Sequence, residues 1–316
     1  MLTTKQAADF FRAHDNYLIL THKSPDGDTL GCAAGLCHVL CGMGKTAALL
    51  KNAEVTETYR PYVDGLWAEE DFAPETVVSV DIAALSLLPE NAKPFAERID
   101  LAIDHHPSCE RFGRQNCVYP ERAACGEIVY EIAAELGRVD AEAALPLYVA
   151  VSSDTGCFVY SNVTANTHRV AAALMDTGIN IRAVNKRLFR TKSKKRLALE
   201  GRLLNELEYF DEGRIVVVQV PLSLQRELAL TEDDMDDLAA LGGQVEGTDC
   251  SVTMKENEDG AWKISLRAGV RVNATKACEK FGGGGHRAAS GCVIRGMTQE
   301  EAKRAIVAAC MEVAGA

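Results

Sequence analysis

Leu101-Ala-Ile-Asp104-His105-His106-Pro107 is the stretch of sequence around which the fold is predicted to be organised. Its apolar residues are typical of a buried strand, and the strand ends in a carboxylate followed by two imidazoles. In open α/β sheets, ligands bind in the crevice outside the carboxyl ends of the strands. The stretch therefore predicts a site, although an isolated Asp-His pair is also typical of a surface ion pair or a helix cap.

Apolar runs elsewhere in the first half of the chain predict three further strands, and helical segments alternate with them. The predicted strands are 17–20, 47–50, 76–81 and 99–104, and the predicted helices are 4–14, 29–43, 125–137, 142–152 and 164–177. Strands that alternate with helices indicate a parallel sheet with helices on both faces. We therefore predict an α/β first domain.

The length of 316 residues exceeds that of most single domains, so two domains are expected. We predict a first domain over 1–190, a helical linker over 191–210 and a smaller α/β domain over 211–316. A helix is predicted from Ser193 to Phe210. The basic residues before and within it fit either a solvated linker or a positive wall that faces phosphate; they are Arg182, Lys186, Arg187, Arg190, Lys192, Lys194, Lys195 and Arg196.

The second domain shows a different order of elements. A strand is predicted over 215–220, and the runs 250–256 and 262–268 are expected to pair as a hairpin across Asn257–Gly260. A short helix ending at Lys280 leads into a glycine-rich loop, Phe281-Gly-Gly-Gly-Gly-His286, which is followed by a strand near 291–295 and a helix from Thr298. This order predicts a small α/β domain.

Composition excludes several classes of protein. The net charge of −11 argues against a protein that coats long nucleic acid, because such binding relies on many cations along the backbone. No apolar stretch is long enough to span a membrane and no signal peptide is visible, so a cytoplasmic protein is expected. The eleven cysteines include no Cys-x-x-Cys pair, which indicates reduced thiols rather than a disulfide scaffold.

Polar residues collect at the predicted strand ends of the first domain. They are His22, Asp26, Asp28, Asp81, Asp104, His105 and His106, with Asp154 as a further candidate. So many carboxylates in a small volume would repel one another, and divalent cations would remove that repulsion. Mixed histidine and carboxylate ligands suit Mn²⁺, Fe²⁺, Co²⁺ or Zn²⁺ better than Ca²⁺. The number of candidate ligands indicates two metal ions, roughly 3.5 to 4 Å apart.

These residues resemble the motifs of the DHH phosphoesterase superfamily, in order and with ordinary spacing. The matching motifs are His22-x-x-x-Asp26-x-Asp28, Asp81, Asp104-His105-His106 and Asp154. In the second domain, Ser265-Leu-Arg267, Val272-Asn273 and the glycine run ending in His286 resemble the DHHA1 substrate-binding domain. The resemblance covers the whole chain and is strongest to the stand-alone NrnA type.

The resemblance implies a hydrolase that acts on short nucleotides. Proteins of the NrnA type hydrolyse oligoribonucleotides of two to five nucleotides to mononucleotides and remove the 3′-phosphate of pAp. The resemblance further implies two divalent ions, with Mn²⁺ expected and Mg²⁺ or Co²⁺ as alternatives, and a hydroxide between them as the nucleophile. No long duplex nucleic acid and no membrane is expected as a partner, and a homodimer remains open.

The resemblance also assigns roles to residues of the first domain. His22, Asp26 and Asp81 would hold one ion, and Asp28, Asp81, His105 and Asp154 the other, with Asp81 shared. His106 would contact the substrate phosphate or the leaving oxygen. Asp104 would orient the neighbouring histidine.

In the second domain, the resemblance assigns substrate contacts. Arg267 and His286 would bind the phosphate end of the nucleotide, and Asn273 belongs to the same set. The backbone of Gly283, Gly284 and Gly285 would come close to the ligand and offer N–H groups to an anion.

Several alternatives remain open at this point. The same two domains could favour cyclic or linear dinucleotides such as c-di-AMP or pApA. A RecJ-type exonuclease is less consistent with the short chain, and manganese pyrophosphatases lack a second domain with a Gly-Gly-Gly-Gly-His motif. A catalytically inactive nucleotide sensor is a further alternative, but it is disfavoured because every candidate metal ligand is intact.

Overall fold

The computed structural model describes residues 1–235 and 238–314. The chain forms two compact units, one from Met1 to Thr191 and one that begins at Lys192. Each unit has its own sheet, with five strands in the first and six in the second.

The sheet of the first unit is entirely parallel. Its strands are β1 (Tyr17–Leu20), β2 (Ala47–Leu49), β3 (Thr76–Val80), β4 (Ile99–Asp104) and β5 (Gln115–Val118). They are ordered β2-β1-β3-β4-β5, so β3 lies between β1 and β4. Strands β1 and β3 are buried along their whole length, which explains their predominantly apolar sequence. The carboxyl ends of β1, β3 and β4 are therefore neighbours.

One face of this sheet is covered by α-helices. The helices of the first unit are α1 (Thr4–Ala13), α2 (Gly27–Gly42), α3 (Arg60–Val63), α4 (Cys125–Glu135), α5 (Ala141–Asp154), α6 (Ala165–Met175) and α7 (Ile181–Asn185), with one π-helical turn at Lys186–Arg190. Helix α2 packs directly on α5 because Gly31 has no side chain. A Cβ atom there would lie 2.3 Å from the carbonyl oxygen of Pro146. This close contact fixes the positions of α2 and α5 relative to each other.

The opposite face is covered by shorter segments. Two 3₁₀ helices, Leu85–Leu87 and Glu90–Arg98, lie between β3 and β4. Leu88 and Ala92 from this region pack with Leu18 and Ile99 of the sheet in a second apolar cluster. The sheet is thus covered on both faces, as predicted, with 3₁₀ rather than α-helical segments on this side.

The second unit has a mixed sheet. Its strands are β6 (Glu208–Phe210), β7 (Ile215–Val220), β8 (Cys250–Glu256), β9 (Trp262–Ala268), β10 (Gly284–His286) and β11 (Ala289–Ile294). Their order is β10-β11-β9-β8-β7-β6, with β7 and β8 parallel and the other neighbouring pairs antiparallel. The β8–β9 pair confirms the predicted hairpin.

Within residues 192–235 and 238–314, this unit has five α-helices. They are α8 (Lys194–Asn205), α9 (Leu222–Glu227), α10 (Glu232–Met235), α11 (Ala274–Glu279) and α12 (Gln299–Ala314), with 3₁₀ turns at Leu238–Ala240 and Gly242–Gln244. Ala277 of α11 and Ile306 of α12 pack in one core cluster with Ile264 and Leu266 of β9. Among the described residues, no helix is long and apolar enough to cross a membrane.

The bounds of several elements differ from the sequence prediction by one or two residues, and two segments of the second unit form a different kind of element. The helix predicted from Ser193 to Phe210 ends at Asn205, and Glu208–Phe210 pairs with β7 as an edge strand. The helical spacing of Leu203 and Leu207 continues past the true end, which is why the sequence overextends the helix. The glycine-rich loop also contains a strand, because Gly284–His286 pairs with β11.

Candidate active site

The eight candidate residues of the first unit converge at one edge of its sheet. His22 follows β1, Asp81 follows β3, and His105 follows β4, so the order of the strands places these three side by side. The start of α2 and the end of α5 supply the other acids. The set comprises His22, Asp26, Asp28, Asp81, Asp104, His105, His106 and Asp154.

A first group of potential ligands surrounds His22. Its Nε2 atom lies 3.6 Å from Oδ1 of Asp26 and 3.8 Å from Oδ2 of Asp81. One ligand atom from each of the three residues lies within 4.8 Å of the others. Asp26 is held in place because it caps helix α2, where its Oδ1 accepts hydrogen bonds from the backbone N–H groups of Asp28 and Thr29.

A second group surrounds His105. Its Nε2 atom lies 3.8 Å from Oδ2 of Asp28 and 3.5 Å from Oδ2 of Asp154. The same atom lies 3.5 Å from Oδ1 of Asp81. The two oxygens of Asp81 therefore point to different groups, Oδ2 to His22 and Oδ1 to His105.

Asp81 itself is buried and conformationally strained. Its φ of +58° places it in the left-handed region, which a residue with a Cβ atom adopts at a cost. Its side chain is 3% exposed, and Oδ1 accepts no hydrogen bond from any described residue. Burial, together with the charges of Asp28 and Asp26, raises the pKa of Asp81 well above its usual range. An ionised Asp81 is thus unfavourable unless a cation lies beside it.

Asp28 has a structural role as well as a place in the second group. Its two oxygens accept hydrogen bonds from the backbone N–H groups of Cys125 (2.7 Å) and Gly126 (2.9 Å), at the beginning of α4. Burial, and then the charges of Asp154 and Asp26, raise the pKa of Asp28 well above its usual range. The residue therefore ties α2 to α4 while it faces His105.

Backbone carbonyl groups orient both histidines. Nδ1 of His22 lies 2.8 Å from the carbonyl oxygen of Lys23, and Nδ1 of His105 lies 3.1 Å from that of Arg122. A ring that donates from Nδ1 to a carbonyl presents Nε2 as a lone pair. Burial works against a charge on His22, but Asp26 outweighs it and raises the pKa of this histidine. Both rings thus direct Nε2 at carboxylates.

Asp104 holds the segment that contains the two histidines. Its Oδ1 accepts hydrogen bonds from the backbone N–H groups of His105 (2.8 Å) and His106 (3.3 Å), and from Nδ1 of His106 (2.8 Å). Burial opposes ionisation, yet the His106 contacts lower the pKa of Asp104. Asp104 thus fixes the orientation of the His106 ring, whose Nδ1 also lies 3.5 Å from Oδ1 of Asp81.

The donor set fits two divalent cations. Cations between these residues would explain three features of the site. They are the buried carboxylates with raised pKa values, the buried oxygen of Asp81 without a hydrogen-bond donor, and the two imidazoles that present Nε2. Histidine and carboxylate together suit first-row ions of the Mn²⁺ to Zn²⁺ series. The two groups, with one oxygen of Asp81 directed at each, correspond to the two predicted ligand sets.

The sequence did not identify Asn162, which positions Asp154. Its Nδ2 donates to the carbonyl oxygen of Asp154 (3.0 Å) and to that of Ala123 (2.9 Å). It thereby joins the end of α5 to the segment before α4. Nothing in a single sequence signals such a contact, since Asn162 occurs in a polar loop where asparagine is common.

The substrate contacts predicted in the second unit share one face of its sheet. Arg267 of β9 and His286 of β10 both pair with Ala289 of β11, which lies between them. Residues paired directly across strands point to the same face, so the two side chains flank Ala289 about 10 Å apart at the backbone. Their face is opposite to the one on which Leu266 packs with α11 and α12.

The glycine run contains two positions where the structure requires glycine and one where a larger residue would fit. A Cβ atom at Gly283 would lie 2.2 Å from the carbonyl oxygen of Gly291, and Gly285 has a φ of +141°, so packing and conformation require glycine at both. At Gly284 a Cβ atom would meet nothing within 4 Å. Gly284 lies on the same face as His286, two residues away, and leaves space there. Asn273, by contrast, caps α11 by accepting a hydrogen bond from the N–H of Lys276.

Part of the basic stretch is engaged within the separate units. Arg187 donates to the carbonyl oxygens of Glu57 (2.7 Å) and Thr58 (2.9 Å) in the first unit. In the second unit, Lys192 and Arg196 both bind the carboxylate of Glu200. These three cations therefore have structural roles.

Comparisons with known proteins agree with this arrangement. Residues 16–151 match the DHH family, N-terminal domain, and residues 212–315 match the DHHA1 domain. The chain is 32% identical over 302 residues to the bifunctional oligoribonuclease and PAP phosphatase NrnA of Thermus thermophilus, across 93% of this chain and 89% of that protein. It is 24% identical to the probable bifunctional oligoribonuclease and PAP phosphatase NrnA of Streptococcus mutans, across 92% and 93% of the two chains.

A solved structure shows the same fold. The exopolyphosphatase-related protein of Bacteroides fragilis superimposes with a TM-score of 0.88 at 22% identity, across 99% of this chain and 96% of that one.

Proposed function

The chain belongs to the DHH family and carries a DHHA1 domain, and we propose that it is a metal-dependent phosphoesterase that hydrolyses oligoribonucleotides of two to five nucleotides to mononucleotides. Its second substrate is pAp, from which it removes the 3′-phosphate. The names of the two NrnA relatives support both activities. We assign catalysis to a domain over 1–190 and substrate binding to a domain over 211–316. The segment 191–210 between them contains helix α8 and the edge strand β6.

The observation that carries the proposal is the position of Asp81. One of its oxygens faces the group around His22 and the other faces the group around His105. A carboxylate placed in this way can hold two cations at once, as two-metal phosphoesterases require. Mn²⁺ is the expected ion.

The remaining residues of the first unit divide between the two ions. His22 and Asp26 would complete the first group, and Asp28, His105 and Asp154 the second. When bound, the two ions would lower the pKa of a water molecule and polarise the phosphate. His106, held by Asp104 through Nδ1, would use Nε2 to contact the phosphate or the leaving oxygen.

The second unit would bind the substrate rather than carry out the chemistry. Arg267 and His286 flank Ala289 and would contact the phosphate end of the nucleotide. The open space at Gly284 would allow the ligand to approach the backbone, with Gly283, Gly285 and Asn273 shaping the same region. Short substrates fit the net charge of −11, since attraction to phosphate is then local.

Hydrolysis of a small set of substrates tests the proposal. The protein with Mn²⁺ is given pApA, pAp, c-di-AMP and a twenty-nucleotide RNA, with Asp81→Ala as the inactive control. We expect fast cleavage of pApA and pAp, with the long RNA nearly untouched. Preferential cleavage of c-di-AMP would make the protein a cyclic dinucleotide phosphodiesterase. Tight binding of pApA without cleavage of any substrate would indicate a nucleotide sensor instead.

A further inference from the structure

A second basic region lies in the second unit, and it shares one residue, Asn273, with the substrate contacts assigned above. It is a cavity of about 410 Å³. The residues that line it are Arg271, Asn273, Lys276, Arg287, Glu312 and Val313. Three of these six carry a positive charge and one carries a negative charge, in a chain whose net charge is −11. The cavity is therefore a local exception to the acidic character of the protein.

The three cations of the cavity are not neutralised by the protein. Within residues 1–235 and 238–314, no carboxylate lies within 4.0 Å of the charged groups of Arg271, Lys276 or Arg287. The acid in the lining, Glu312, forms an ion pair with Lys280 at 2.5 Å. The positive charge of the lining thus remains available to a ligand.

Two other acids near Arg271 are also engaged. The carboxylate of Asp249 accepts hydrogen bonds from the backbone N–H groups of residues 270–272 at 3.0 to 3.2 Å. Asp211 is held by Arg214 through two hydrogen bonds of 2.9 and 2.7 Å. Neither carboxylate therefore fully neutralises the positive charge of the cavity.

The wall of the cavity is held in place by hydrogen bonds. Nη2 of Arg287 donates to the carbonyl oxygen of Val270 at 2.7 Å, and the N–H of Ala274 donates to the carbonyl oxygen of Arg287 at 2.9 Å. These bonds join the segment before α11 to the turn between β10 and β11. The cations are thus presented by a defined backbone, and arginine side chains match the geometry of phosphate oxygens.

We propose that this cavity is a second phosphate site, which binds a phosphodiester of an oligoribonucleotide beyond the nucleotide held at Arg267 and His286. Arg287 directly follows His286, so the two phosphate-binding regions are contiguous along the chain. Substrates of three or more nucleotides have an additional phosphate that can bind in the cavity. The shorter substrates pApA and pAp bind without using the cavity. The inference rests on the proposed function and adds a dependence on substrate length.

Binding of a fluorescent pentanucleotide to two double variants tests the site. Arg271→Gln/Arg287→Gln removes two charges from the cavity. Arg226→Gln/Arg295→Gln removes two exposed charges elsewhere in the same unit, where the side chains are 67% and 68% exposed. Dissociation constants are measured without metal, so that no hydrolysis occurs, at several salt concentrations. Thermal melts show that both variants are folded.

We expect the cavity variant to bind the pentanucleotide at least about fivefold more weakly than the control variant. The slope of log K against log salt should become less steep by about 0.7 for each phosphate group that the variant no longer binds. With Mn²⁺ present, the ratio of pentanucleotide to pApA hydrolysis should fall by a similar factor. Equal affinities and slopes in the two variants would overturn the proposal.

Binding of AMP to the same variants tests whether the ligand of the cavity is a phosphate of RNA or a free nucleotide. If the cavity variant loses AMP affinity as strongly as pentanucleotide affinity, the cavity is an effector site and the proposed dependence on length is wrong. If the wild type binds the pentanucleotide through the cavity without cleaving any short RNA, the proposed function fails while the second phosphate site stands.

Discussion

Oδ1 of Asp81 lies 3.5 Å from Nε2 of His105, although the two residues follow different strands. This separation is longer than a usual N–H···O hydrogen bond, and both side chains are more than nine-tenths buried. Asp81 reaches this position with a φ of +58°. A buried carboxylate that is strained and lacks a hydrogen-bond donor at Oδ1 is costly to fold. A cation bound between the two residues would offset this free-energy cost.

Removal of the metal should destabilise the first unit. Without cations, the carboxylates of Asp28 and Asp81 repel each other in a buried site. At a free metal concentration of one hundred times Kd, binding stabilises a protein by about 2.7 kcal/mol. Chelation with EDTA should therefore lower Tm by roughly 5 to 10 °C, measured by calorimetry. An unchanged Tm would argue against a preformed site.

Asp81→Asn and Arg267→Ala should affect different kinetic parameters. The first removes the carboxylate shared by both groups, and kcat should fall by more than about a hundredfold, since even residues that only support metal ligands change activity 10- to 100-fold. The second removes a phosphate contact, so KM should rise while kcat changes little. Steady-state kinetics on pApA with Mn²⁺ measures both. Proportional losses of kcat in the two variants would contradict this division.

The same Asp81→Asn variant should be more stable than the wild type when metal is absent. The substitution keeps the size of the side chain but removes a buried charge that faces other carboxylates. Melts in EDTA provide the comparison, and a lower Tm for the variant would contradict the repulsion inferred here.

Asp104→Asn tests the positioning of His106. The substitution removes the charge of the group that accepts a hydrogen bond from Nδ1 of His106. We expect kcat to fall 10- to 100-fold while the protein still binds two metal ions per chain. Metal analysis of the purified variant separates this from loss of a ligand. A variant that retains wild-type kcat would show that His106 needs no orientation by Asp104.

Because of Glu200, the stability of the second unit should depend on pH. Burial opposes its charge, but Lys192 and Arg196 lower its pKa below the usual value of 4.5. The stabilisation is therefore present above pH 4.5 and is lost as the pH falls through the lower pKa of the folded state. Glu200→Gln should cost on the order of 1 to 2 kcal/mol at pH 7 and much less at acid pH.

Urea unfolding at several pH values measures this difference. Glu206→Gln is the matched control, because Glu206 forms an exposed ion pair with Arg202 at 3.4 Å and should contribute about 0.5 kcal/mol or less. A Glu200 effect that persists unchanged at low pH would show that the charge is not its source.

Much of the first sheet could be predicted because its strands are buried and apolar. The bounds of β4 agree with the prediction, because the apolar run Leu101–Ile103 is followed directly by Asp104 and two histidines. β5 was missed because Gln115–Val118 begins with two polar residues, as an edge strand can. The 3₁₀ segments over the second face were missed because they have no regular period.

The sequence predicts which residues form the site, but it does not predict the contacts that hold them in place. Parallel topology alone brings His22, Asp81 and His105 to one edge of the sheet. The backbone N–H groups that bind Asp28, the carbonyl oxygens that orient the histidines and the left-handed conformation of Asp81 depend on tertiary contacts. A sequence does not encode these features in any local pattern.

We expect Asp81 to lie between two metal ions. The most direct test of this expectation is an anomalous difference map from crystals of the protein grown with Mn²⁺. We predict two peaks, roughly 3.5 to 4 Å apart, with one oxygen of Asp81 at each. One peak should lie beside His22 and the other beside His105. A single peak, or two peaks of which only one contacts Asp81, would contradict the account.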